Sequence, residues 1–171
     1  MLEEKTNQAH TRIELDQYGR RSTLEIAGIP RADEENTEEI CIKLFNSLGV
    51  NVHAKDIEAC HRISQRENAN ISVRFNNRKP RDKVLMNRRQ LRGKSTHDFG
   101  INTERSPAKI FLNESLTRQN KELFRQAQEF KRGHAFKFIW TRNGNIFIRK
   151  TEHSKVIKIT HQNDLKESYA E

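Results

Sequence analysis

The sequence predicts an α+β protein: a β-α-β-β-α-β unit followed by a smaller unit of one helix and three strands, with a short helix ahead of both. Three observations predict it. Apolar residues alternate with period two in stretches such as "ISVRF" and recur at helical spacing in others such as "NTEEICIKLFNSLG". Pro, Gly and Asn separate these stretches. The run "FKFIWTRNGNIFIRK", Phe136 to Lys150, is centred on Asn143-Gly144, a pair that accepts the φ > 0 geometry of a tight hairpin. With 171 residues, 33% hydrophobic and 32% charged, the chain can fill one modest core or two small ones, not a large catalytic domain.

Met1 to Tyr18 is polar and predicted helical, with a thin stripe of Leu2, Ala9 and Ile13 that is too short for a coiled coil by itself. In "STLEIAGIP" Leu24 and Ile26 point one way, Glu25 and Ala27 the other, and Pro30 ends the strand. The next helix starts at Asn36, an N-cap with Glu39 three residues on, and runs through Ile40, Cys41, Leu44, Phe45 and Leu48 to Gly49. "DIEACHRIS" and "ANISVRF" read as strands, the second with Ile71, Val73 and Phe75 inward. Pro80 is expected to open a second helix, "PRDKVLMNRRQLRG", whose apolar side is Val84, Leu85 and Leu91 and whose remaining surface carries Arg81, Lys83, Arg88, Arg89 and Arg92. "KIFLN" closes the order as a short strand. This is the ferredoxin-like split βαβ topology, in which two helices cover one sheet face and leave the other bare.

A second unit begins at Glu114. "NESLTRQNKELFRQAQEFKRG" is a helix with Leu116, Leu123, Phe124, Ala127 and Phe130 on one side and Asn113 or Ser115 near its cap. The hairpin follows, then "KVIKI" as a third strand and "NDLKE" as the start of a terminal helix. A two-residue loop pairs Trp140 with Phe147 and Phe138 with Arg149. It sorts Ile139, Thr141, Ile146 and Ile148 onto one face and Phe136, Phe138, Trp140 and Phe147, bordered by Arg142 and Arg149, onto the other. The isoleucines are expected to pack on Leu123, Ala127 and Phe130, leaving aromatics outside. The alternative buries the aromatics as the core.

Charge is distributed unevenly. Met1 to Ile71 holds 9 Lys and Arg against 13 Asp and Glu, Ser72 to Lys150 holds 20 against 6, and Thr151 to Glu171 holds 3 against 4, for +9 in all. A basic excess confined to the middle stretch points to a polyanionic partner, and nucleic acid is the partner expected. No apolar run approaches a membrane span and the N-terminus has no apolar stretch of signal-peptide type, so the protein is expected in the cytoplasm and also in the nucleus, without a membrane partner. Cys41 and Cys60 lack the spacing of a disulfide framework or a zinc site. "GKS" at Gly93 to Ser95 is no phosphate loop, because Arg88 stands where the first Gly is needed and a helix comes before it. No paired carboxylates suggest nuclease chemistry. Neither an enzyme nor a cofactor is expected.

The bare sheet face is where an RNA-recognition motif stacks bases on aromatics of its two central strands. Here Asn70, Ser72 and Glu25 occupy the usual aromatic positions, and the face offers Arg74, Lys109 and Phe111 instead. Phe111 serves equally as a docking residue for the segment after it. With Arg62, Arg88 and Arg89 as phosphate contacts, and Trp140, Phe147, Arg142 and Arg149 as an aromatic and basic cluster on the hairpin, these residues are the expected nucleic-acid surface.

Over roughly Tyr18 to Leu165, the runs "LEIAGIP", "DIEACHRIS", "ISVRF" with "RDKVL", "IFLNESLTRQNKELFRQAQEFK" and "FKFIWTRNGNIFIRK" together resemble the first-reading-frame proteins of LINE-type retrotransposons and the related baculovirus few-polyhedra protein. The resemblance implies a trimerising coiled coil, a non-standard RNA-recognition motif and a small C-terminal domain that jointly clamp single-stranded nucleic acid, with chaperone activity on it. It divides the chain into a helical segment at 1–20, the motif at 21–113 and the C-terminal domain at 114–171. The partners expected are single-stranded RNA and single-stranded DNA, with a homotrimer where a coiled coil is present. Met1 to Tyr18 alone predicts a mainly monomeric chain. The competing expectation is a few-polyhedra-like interaction or morphogenesis factor without a main role in RNA binding.

Overall fold

The computed structural model describes residues 1–168. The described residues form an α+β protein with five α-helices and two small antiparallel sheets. In chain order the elements are α1 (Leu2–Gly19), β1 (Thr23–Ala27), α2 (Thr37–Ser47), β2 (Ile57–Arg62), β3 (Ile71–Phe75), α3 (Arg78–Met86), β4 (Phe111–Glu114), α4 (Arg118–Gly133), β5 (Phe138–Arg142), β6 (Asn145–Arg149), β7 (Ile157–Ile159) and α5 (Gln162–Glu167). The chain divides into two compact units, one of Ser22–Ser115 and one of Met1–Arg21 with the chain from Leu116 on.

In the unit of Ser22–Ser115 the strands lie in the order β2-β3-β1-β4, so the two central strands are β3 and β1. One sheet face is closed by α2 and α3. Leu24, Ile26, Ile71, Val73, Phe75 and Leu112 from the strands pack with Leu44, Phe45 and Val84 from the helices. Phe45 and Phe75 meet with ring centroids 5.7 Å apart. Each such apolar side chain contributes about 1.5 to 3 kcal/mol when fully buried. Asn36 caps α2 by accepting the Glu39 N–H at 3.1 Å. The cap of α3 is Asn77, which accepts the Lys79 N–H at 3.0 Å. The helix therefore starts two residues ahead of Pro80, since an Asx cap satisfies the open N–H groups and Pro is tolerated anywhere in the first turn. It also ends at Met86, and Arg88–Leu91 continue as a separate 3-10 turn.

A buried ion pair lies inside this unit, one partner of which was expected in solvent. Arg81, expected on the solvated side of its helix, is 4% exposed and donates to the Glu114 carboxylate at 3.0 Å, with Glu114 only 3% exposed. Burial of one charge here is made tolerable by burial of its partner. On β2, Ile57 stands opposite Phe75 and Ala59 opposite Arg74, which makes Glu58 the extra residue of a β-bulge. The bulge brings Ile57, Cys60 and Arg62 to the helix-covered side and leaves Ala59 and His61 exposed.

In the other unit β5, β6 and β7 form a three-stranded meander. Thr117, not Asn113 or Ser115, caps α4, accepting the Asn120 N–H at 3.1 Å. Ala127, Ile146, Ile148, Ile159 and Leu165 are buried together, with Leu123, Phe124, Phe130 and Ile139 packed against them. The hairpin register matches the two-residue loop: Trp140 faces Phe147, Thr141 faces Ile146 and Phe138 faces Arg149. Asn143 and Gly144 have φ of 51° and 76°, so both central residues are left-handed as the turn requires. The helix α1 has no buried residue, and Leu2, Leu15 and Tyr18 are exposed on it. Its Gln17 Oε1 accepts from the Thr117 N–H and the Asn120 side-chain amide, each at 3.0 Å. Among the described residues no helix is long and apolar enough to cross a membrane.

Candidate nucleic-acid interface

On the three-stranded sheet the isoleucines face α4, so the alternate residues face away from it. Trp140 and Phe147 stack across β5 and β6, with centroids 5.7 Å apart and planes inclined by 22°. Both are half-buried. Lys158 on β7 stands opposite Phe147 and is exposed, which completes a row of Trp140, Phe147 and Lys158 across the sheet. Arg142 is exposed at the end of β5 beside the turn. Phe138 lies one row away, with the Lys137 ammonium 5.2 Å from its ring. The arrangement is a flat π surface with cations at its margins, which suits a stacked base with a phosphate beside it.

Two expected members of this cluster are placed differently. Phe136 precedes the strand and is 7% exposed, packed on Phe130 with centroids 5.3 Å apart. Ala135, at φ 55°, turns the chain between α4 and β5, and Phe136 lies in this turn ahead of the regular strand. Arg149 is on the outer face, but its guanidinium is engaged with the loop after β6, donating to the Ser154 carbonyl at 2.8 Å and to the Glu152 carbonyl. It shapes that loop. Lys158 is the residue that sequence reasoning missed, and a three-strand register drawn from "KVIKI" would have found it.

In the unit of Ser22–Ser115 the uncovered side of the sheet carries Arg74 and Phe111, both exposed, with Lys109 exposed just ahead of β4. The Arg74 guanidinium lies 3.2 Å from Glu58, an exposed pair that binds weakly and leaves the cation available to a phosphate. Between these residues the face is polar: the Glu25 carboxylate is 3.4 Å from the Asn70 side-chain amide, and Glu25 is 8% exposed. Arg88 and Arg89 belong to the helical layer, where the neighbouring Gln90 donates to the Leu48 carbonyl at the end of α2. They do not share a face with Arg74 and Phe111.

Arg62 is not a surface residue. Its side chain is 7% exposed and forms a two-pronged pair with Glu35, at 2.7 and 2.9 Å, while its remaining nitrogen donates to the carbonyls of Ile29 and Ala69, each at 2.7 Å. The bulge on β2 is the cause, because it reverses which residues of that strand face the helices. Burial pushes the Glu35 carboxyl up, but the Arg62 guanidinium and the Ala32 N–H outweigh it and hold the group below its ordinary value. The pair ties β2 to the loop after β1, and four of the five guanidinium N–H groups are engaged inside the fold. Among the described residues no group of three or more His, Cys, Asp or Glu could hold a metal ion.

No curated protein matches the chain. A family model described as baculovirus FP protein domain 2 matches residues 117–168, the stretch from the cap of α4 to the end of α5 that carries the Trp140–Phe147 face.

Proposed function

We propose that this protein binds single-stranded nucleic acid, mainly RNA, and acts on it as a chaperone, packaging a retrotransposon RNA into a ribonucleoprotein particle. The observation that carries the reading is the stacked Trp140–Phe147 pair on the side of its sheet away from α4, with Lys158 and Arg142 beside it. Support from the other unit is the strand order β2-β3-β1-β4 with both helices on one side. On this reading the unit acts as an RNA-recognition motif with Glu25, Asn70 and Ser72 in place of aromatics. Cations neutralise phosphates and release counterions, and the aromatic row holds bases without regard to sequence. A surface that holds separated strands favours melted intermediates and lets strands exchange, with no nucleotide hydrolysis. Cytoplasm and nucleus are both compatible with that role.

A labelled single-stranded RNA titrated at several salt concentrations tests the reading. Binding should weaken steeply with salt, exceed binding to duplex of the same length, and quench the fluorescence of Trp140, the sole tryptophan. Weak binding that does not distinguish strands from duplex, with unchanged fluorescence, refutes it. The match of residues 117–168 to the baculovirus FP domain favours a second reading, an interaction or morphogenesis factor in which the same face takes a protein.

A further inference from the structure

We propose that Cys41 and Cys60 form a modification site, a dithiol that closes into an intramolecular disulfide when a hydroperoxide reaches Cys60. The two sulfurs are 3.6 Å apart and both cysteines are free. Cys41 is on the core side of α2, with no exposure, and Cys60 reaches it because the β2 bulge places Cys60 on the helix-covered side. To bond, the sulfurs need to approach from 3.6 Å to about 2.05 Å. The pair differs in access. Cys60 is half-buried on β2, the edge strand of its sheet, between the exposed Ala59 and His61. Cys41 is sealed under it.

The same environment separates the thiols chemically. Sharing a hydrogen bond with Cys41 lowers the Cys60 thiol, against the effect of burial, with the Thr37 hydroxyl and the Arg62 cation also favouring its thiolate. Cys41 is pushed well above its ordinary value by that same hydrogen bond and by its burial. Cys60 is thus both the reachable sulfur and the better nucleophile. Its thiolate attacks the outer oxygen of the hydroperoxide, the O–O bond breaks, and the leaving alkoxide takes a proton to become an alcohol. The product is a Cys60 sulfenic acid. The Cys41 thiol then attacks that sulfur, the S–O bond breaks, and hydroxide leaves with the Cys41 proton as water. Two thiols have lost two electrons, and the hydroperoxide has become an alcohol and water.

The test treats the full chain with hydrogen peroxide, unfolds it, alkylates it with iodoacetamide and weighs it. The expected product is a monomer lighter by two hydrogen atoms that takes up no iodoacetamide, with dithiothreitol restoring both thiols. Cys41→Ser should stop at the sulfenic acid, trapped by dimedone on Cys60. Without oxidant, phenylarsine oxide should add once per chain and block both thiols, since a single arsenic bridges sulfurs this close. Oxidation of Cys60 beyond the sulfenic acid with Cys41 still alkylated, a disulfide between chains, or two thiols untouched by peroxide would each overturn the proposal. The measurements on the unaltered chain decide it even where Cys41→Ser fails to fold.

Discussion

Replacing Trp140 by Ala separates binding from folding, because the residue is half-buried on a sheet face turned away from the helix. Its ring stacks on Phe147, and aromatic pairs of this kind contribute about 0.5 to 1.5 kcal/mol beyond their area. The loss of one stacked base is worth about 1 to 3 kcal/mol of affinity, or about 5- to 150-fold in Kd. Ile148→Ala provides the contrast: that residue has no exposure, and its truncation should cost about 2 to 5 kcal/mol of folding stability. Urea denaturation followed by circular dichroism gives the stabilities, and anisotropy of a labelled RNA under conditions where both variants are folded gives the affinities. The reasoning fails if Trp140→Ala loses 3 kcal/mol or more of stability while holding RNA as tightly as before. That result would make the aromatic pair part of the core.

Replacing Arg74, Arg88 and Arg89 together by Ala should weaken RNA binding for all sequences alike and flatten the salt slope by about one unit per lost phosphate contact; an unchanged slope removes them from the interface. Arg81→Ala should cost about 3 to 5 kcal/mol in denaturant unfolding, because it removes the cation paired with the buried Glu114 carboxylate. Gly28→Ala should be strongly destabilising by the same assay, since its φ is 92° and a Cβ would be driven into the Lys109 carbonyl oxygen. Glu35, held below its ordinary value in the fold, contributes stability that is complete above its unfolded value near 4.5 and is lost as pH falls through the folded value. Urea midpoints measured down that range should therefore fall less steeply in Glu35→Gln than in the unaltered chain.

The alternation of Ile71, Val73 and Phe75, the helical stripe through Cys41, Leu44 and Phe45, and the Asn143-Gly144 turn each state their structure locally, so strands, helix and hairpin register were legible in the sequence. What was illegible depended on a single irregular residue. The extra Glu58 in β2 changes which side Arg62 faces, and Phe136 lies in the turn at the left-handed Ala135, ahead of the regular strand. Neither Glu nor Ala announces such a role, since Gly and Asn are the usual residues for it. Arg81 was misread for a related reason: a buried cation looks like a solvated one until its partner, 33 residues away, is known. Of the hairpin cluster, Trp140, Phe147 and Arg142 were placed correctly on the outer face, whereas Arg149 spends its guanidinium on a neighbouring loop.

The two hydrogen bonds at Gln17 join residues 100 and 103 positions apart, so their formation depends on the order of synthesis. At about 5 to 20 residues per second, Gln17 is synthesised roughly 5 to 20 s before Thr117 and Asn120 exist to receive it. An isolated helix of 18 residues is marginal in water, and this one has no apolar seam to bury against itself. Although α1 is made before every other described element, it is therefore among the last of them to become fixed, and the nascent chain carries it unanchored while Ser22–Ser115 is synthesised.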